Sequence, residues 1–132
     1  MTLLMKKLLA LLFSMFALSL SVNAADVYYC SDDAVVGFHP PENYKQYTYN
    51  EEKFKIMIDF DKKNVFSEHL FFNSNWNQKC FFNMHNTLSC RTELGMAFAI
   101  NKANLRYVRS KIYTKQSPDD DIFIAHGSCE KF

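Results

Sequence analysis

Ser67, Glu68 and His69 are consecutive, and a hydroxyl, a carboxylate and an imidazole are the groups of a nucleophilic relay. Neighbours on a strand point to opposite faces, so these three cannot touch in series, and His69 reads as a solvated strand residue. His126 and Ser128 would share a strand face beside Cys129, yet a hydrolase built there needs a third partner that the chain does not nominate. Asp119-Asp120-Asp121 supplies hard oxygen ligands without the alternating spacing or the turn glycine of a calcium loop, so a solvated turn is expected. Gly37, Gly95 and Gly127 stand apart from one another, which excludes a phosphate-cradling loop. No catalytic, cofactor-binding or metal-binding residue is nominated.

The residues with firm chemistry are Cys30, Cys80, Cys90 and Cys129. Zinc is one use for four cysteines, but no Cys-x-x-Cys pair exists and the gaps are long. An even count in an exported chain reads instead as two disulfides, for which three pairings are possible. Cys80 and Cys90 lie symmetrically about His85, where a hairpin of residues 80–84 and 86–90 would turn, and so would face each other across two strands. Elimination then joins Cys30 to Cys129.

Export itself is read from the beginning of the chain. Lys6-Lys7 precede an apolar run from Leu8 to Leu20, and Val22-Asn23-Ala24 ends it with the pattern of a cleavage site. The run is shorter than the ~20 apolar residues of a membrane span. Cleavage after Ala24 is therefore expected, with residues 1–24 a signal peptide and 25–132 one domain in the periplasm or outside the cell. No stable membrane span then remains. The formal charge of +1 loses Lys6 and Lys7, leaving 13 basic residues against 14 acidic ones. A nucleic-acid partner is excluded on that balance, because neutralising phosphates requires a basic excess.

The elements that must position any site are strands. Phe54, Ile56, Ile58 and Phe60 recur at every second position, and after the polar break Asp61-Lys62-Lys63-Asn64 the residues Phe66, Leu70 and Phe72 keep step on the return. Tyr28 and Cys30 share one face of a short strand over 26–31, which a polar step at Asp32-Asp33 separates from a second apolar patch, Val35 to Phe38. His39-Pro40-Pro41 is a loop, since neither proline can donate to a ladder. Tyr44, Tyr47 and Tyr49 belong to an edge strand, or to a tyrosine-lined binding rim. Met96, Phe98 and Ile100 alternate strictly, Asn101 to Asn104 form a turn, and Leu105 to Tyr113 return. Arg106, Arg109 and Lys111 are expected on an exposed edge or outer face, open to an acidic partner. About eight strands at this spacing define an all-β fold, an antiparallel meander closing into a small barrel or sandwich stapled by disulfides.

Two resemblances rest on named residues. Tyr28-x-Cys30 near the start, with Cys129 near the end, resembles the periplasmic inhibitors of C-type lysozyme, which are small barrels whose first and last segments are disulfide-linked. The Ser-Gly-x-x-Tyr stretch those inhibitors insert into their target is absent here, so inhibition is carried over to no residue. Cys30 followed by Gly37-Phe38, with the ending Gly127-Ser128-Cys129-Glu130-Lys131-Phe132, resembles a group of small exported bacterial β-proteins with no assigned activity.

Function follows from what remains. Phe71-Phe72 and Phe81-Phe82 must each divide between two faces of a strand, so one ring of each pair is covered by a second layer or exposed. The expectation is a noncatalytic binding module for a protein or small ligand in the cell envelope, contacting it through Trp76, Tyr44, Tyr47, Phe71 and Phe82. A structural or envelope-stress protein without a specific ligand is the alternative, and a small hydrolase ranks last.

Overall fold

The structure, a computed structural model, describes residues 2–16, 25–67, 78–112 and 121–132, with 10–16 described by backbone alone. A helix α1 (Leu3–Phe16) precedes nine strands: β1 (Asp26–His39), β2 (Lys45–Tyr49), β3 (Lys53–Asp59), β4 (Asn64–Phe66), β5 (Gln78–Phe82), β6 (Thr87–Thr92), β7 (Met96–Asn101), β8 (Arg106–Lys111) and β9 (Ile122–Lys131). They form one antiparallel sheet in the order β4-β3-β1-β9-β8-β7-β6-β5, with β2 added to the far half of β1. The sheet curls until its two ends, β4 and β5, meet, and the result is a nearly closed barrel.

Closure at that seam uses a side chain. The Val65 N–H donates to Gln78 Oε1 at 3.2 Å, and Gln78 Nε2 donates to the Val65 carbonyl at 2.8 Å. One amide thus stands in for a rung of the ladder, satisfying both polar groups of a residue that is itself buried. Gln78→Leu should cost about 1–3 kcal/mol, the penalty for leaving those groups unpaired, and urea denaturation of the two proteins would measure it. An unchanged midpoint would show that the seam does not depend on Gln78.

The alternation in the sequence accounts for the core. Phe54, Ile56 and Ile58 from β3, Met96, Phe98 and Ile100 from β7, and Tyr28 and Cys30 from β1 all point inward. At the centre Phe98 and Tyr107 stack at 5.5 Å, and Phe54 meets both rings edge-on at 6.4 and 5.4 Å. The expected edge strand is present as β2, and the proline loop is a single 3-10 turn over Pro40–Glu42. Both disulfides have the expected pairing, Cys30–Cys129 and Cys80–Cys90, each between residues directly opposite in register.

Three expectations are corrected. The polar step at Asp32-Asp33 does not end the first strand: β1 runs through it, and the register against β9 shifts by one residue between Asp32 and Ala34. Asp32 stays in phase with the inward Tyr28 and Cys30, and the bulge that follows it reverses the phase, so that Val35 and Gly37 rather than Val36 and Phe38 continue the inner face. On β4 it is Val65 that enters the core while Phe66 is on the other face, because Ile58 pairs with Val65; Leu70 and Phe72 lie outside the described residues. Arg109, assigned to an exposed surface, is only 5% exposed and points into the barrel.

Helix α1 has exposed side chains through Leu9. Among the described residues no helix is long and apolar enough to cross a membrane.

Candidate functional site

Two groups of residues are candidates for a site, one inside the barrel and one outside. Inside, Asp32 accepts hydrogen bonds from Arg109 Nε at 3.0 Å and from Arg109 Nη2, from the Tyr107 hydroxyl at 2.7 Å, and from the Glu52 backbone N–H at 3.0 Å. Glu52 Oε2 takes a further bond from Arg109 Nη2 at 3.3 Å. The guanidinium lies 5.0 Å from the Phe123 ring centroid and 5.7 Å from that of Phe54. Gly127 passes directly over the network, and any Cβ there would collide with the Ser31 carbonyl oxygen at 2.0 Å.

Electrostatics fixes what this network can do. Burial alone would raise the Asp32 pKa, but the bonds from Arg109, Tyr107 and the Glu52 N–H outweigh it and hold the carboxyl below its ordinary range. Burial likewise opposes the charge on Arg109, and Asp32 more than restores it, raising the guanidinium further. Tyr107 is pushed upward by burial and by its bond to Asp32. An ionised carboxylate with four donors already on it has no lone pair left to take a proton from a substrate, and Tyr107 has no acidic proton near neutral pH. The group is a structural clamp joining β1 to β8.

Outside, the register lines up residues that are far apart in sequence. Tyr107, Arg109 and Ala125 point inward, so Val108, Ser110, Ile124 and His126 point out, as do Val36 and Phe38 beyond the bulge. One row across the sheet reads Thr48, Val36, Ile124, Ser110, Ala97, and the next reads Ala34, His126, Val108, Ala99, Ser89. Phe38 and Ile122 pair alongside, and Ile112 follows on β8's strand end. Val36, Phe38, Val108, Ile112 and Ile124 are 45–52% exposed. Over β1, β9, β8 and β7 the one ionisable side chain in these rows is His126, placed 3.8 Å from Asp33, which in turn pairs with Arg106 at 3.3 Å at the border of the face; beyond Ala97 the first row continues into Arg91 and Lys79. Five neighbouring strands make this uncharged surface about 19 Å wide.

The residues nominated from the sequence are distributed as follows. Tyr44 is exposed; Tyr47 is half-buried in a local cluster with Glu42, His39 at 5.9 Å and Tyr49 at 6.1 Å, beneath the Lys45 ammonium. Phe82, the expected contact from its pair, packs against the core, and Phe81 is the exposed ring, because Phe82 pairs with the buried Leu88. Phe81 extends the second outer row beyond Ser89. Trp76 and Phe71 lie outside the described residues, as do Glu68, His69, Asp119 and Asp120. Ser67 is buried, donating to the Lys55 carbonyl at 2.9 Å, and Asp121 pairs with His39. His126 shares the outer face with Ser128 without a hydrogen bond to any hydroxyl among the described residues. No group of three or more His, Cys, Asp or Glu gathers to hold a metal among the described residues.

Fold and face together define a small antiparallel barrel, stapled by two disulfides, with a continuous uncharged outer surface on β1, β9 and β8. No protein-family model, curated protein or solved structure matches the chain.

Proposed function

We propose that this is a noncatalytic binding module of the periplasm or the cell exterior, released from residues 1–24, that docks a protein partner on the outer face of β1, β9 and β8. The supporting observation is the alignment of Val36, Phe38, Ile124 and Val108 into one half-exposed apolar surface that almost entirely lacks charge. Solvent-facing strand positions normally carry polar groups, and a contiguous apolar patch marks an interaction site. The two disulfides suit an oxidising compartment, in keeping with export.

A photo-crosslinking residue at Ser110, inside the face, is expected to trap a discrete partner in the producing cell, and one at Lys62, on the turn after β3, is not. Ile124→Lys should abolish the adduct while changing stability by no more than about 0.5 kcal/mol, since Ile124 is half-exposed. Equal adducts from the two positions, or an adduct indifferent to Ile124→Lys, would remove the face as the docking surface.

A further inference from the structure

On β6 and β5 the outer face ends in a pair of cations. Lys79 and Arg91 are directly opposite each other in register, and both are exposed on the outside of the sheet. Like charges in that relation repel and destabilise the strands that carry them. Neither has an acidic partner among the described residues, and Glu93, two positions past Arg91, stands in the turn after β6 and pairs with neither. The repulsion is offset by no contact within the described chain, which points to an anion from outside it.

Between this pair and the apolar part of the face lies a floor of small side chains. Ser89 on β6, Ala97 and Ala99 on β7 and Ser110 on β8 take the outward positions there. Val108 and Ile124 stand at one edge of the floor, and Phe81, 55% exposed, stands beside Lys79 at the other. From β8 to β6 the floor spans two strand spacings, about 10 Å. A segment lying across it meets apolar side chains at one end and a doubled positive charge with an exposed ring at the other.

Resting on the reading that the outer face docks a protein, we infer that the partner presents an acidic segment, with apolar side chains that cover Val108 and Ile124 and carboxylates that reach Lys79 and Arg91. Charge complementarity of this kind selects the partner and speeds its arrival. Arg106, at another border of the face, is already neutralised by Asp33, so the uncompensated charge lies at the β5–β6 end and fixes which end of the segment lies there. An anionic lipid surface carries the same sign of charge. The domain without residues 1–24 has 13 basic against 14 acidic residues, however, and so has no net attraction to such a surface.

Lys79→Glu separates binding from folding. It converts the like pair into an opposite pair, so it should raise the urea midpoint, yet it should lower the yield of the adduct trapped from a photo-crosslinking residue at Ser110 by about tenfold. Lys62→Glu, the same charge change on the turn after β3, should leave that yield unchanged. Mass spectrometry of the adduct should find Asp or Glu close to the crosslinked position of the partner. An adduct that Lys79→Glu reduces no more than Lys62→Glu does, or a trapped segment without acidic residues, overturns the acidic partner and leaves the docking face standing. A lower urea midpoint for Lys79→Glu would show that the pair holds no repulsion to relieve, and would overturn the inference with it. Absence of any adduct at Ser110 removes the face and the acidic partner together. Sedimentation of the natively produced protein with vesicles of equal parts phosphatidylcholine and phosphatidylglycerol, abolished by Lys79→Glu, would overturn the inference in favour of a membrane surface.

Discussion

Replacing Cys30 and Cys129 together by alanine is expected to lower stability by about 4–5 kcal/mol under oxidising conditions. The bond joins residues 99 apart in sequence, and on the chain-entropy account a loop of that length restricts the unfolded ensemble by about that amount. The corresponding figure for Cys80 and Cys90, separated by 10 residues, is about 3 kcal/mol. For a domain whose total stability is expected to be ~5–15 kcal/mol, the first loss is a large share and the second is tolerable. Position adds to the difference. Cys30 and Cys129 are directly paired, buried against Phe54, on the two strands that sit side by side within the sheet. Cys80 and Cys90 tie a hairpin whose turn already holds it. Urea denaturation of both double variants measures the effect, and a Cys30→Ala/Cys129→Ala protein as stable as the parent would show that this bridge contributes nothing.

Asp32→Ala should cost a further, mechanistically distinct ~3–5 kcal/mol, the penalty for removing one partner of a buried ion pair. Arg109 would keep its charge in the barrel with only the half-exposed Glu52 beside it, and the Tyr107 hydroxyl would lose its acceptor. Replacing the pair, as Asp32→Leu with Arg109→Met, should recover most of that loss, because apolar residues of similar volume remove both desolvation penalties. If the double variant were no better than Asp32→Ala, the cost would lie in packing and not in the uncompensated charge.

The pH dependence has a definite sign. Asp32 has a folded pKa below its unfolded value, so its contribution is present above the ordinary carboxylate range, near 3.9, and is lost as pH falls through the folded pKa. Tyr107 is shifted upward, so its contribution is complete below about pH 10 and declines above it. The parent should therefore lose stability on acidification below about pH 4, and Asp32→Asn should lack that part of the acid limb. Identical acid limbs in the two proteins would contradict the assignment.

The outer face is made of residues that are individually ordinary. Val36, Ile124 and Val108 each occupy an alternating position of the kind expected in any strand, and none has a motif around it. Their union depends on the β1–β9 and β8–β9 registers and on the bulge at Asp32, which moves Val36 and Phe38 to the outside.

What the chain determines on its own is whatever depends on near neighbours. Alternation at Phe54 to Ile58 and at Met96 to Ile100 names inward faces because a strand has a period of two, and the symmetry of Cys80 and Cys90 about His85 names a bridge because a hairpin brings equidistant residues opposite. The second bridge then follows by elimination, and an antiparallel all-β fold of about eight strands follows from turn residues at short intervals, one fewer than the structure has. What only the tertiary structure decides is any relation between distant segments. Asp32 and Arg109 look like surface charges until the pairing of β1, β9 and β8 puts these residues, 77 apart in sequence, face to face in the interior. Phe81 and Phe82 are interchangeable until pairing with Leu88 turns one inward. The physical reason is the same in both cases: with a period of two, a one-residue shift in register exchanges inside for outside, and register is set by partner strands and not by the strand itself.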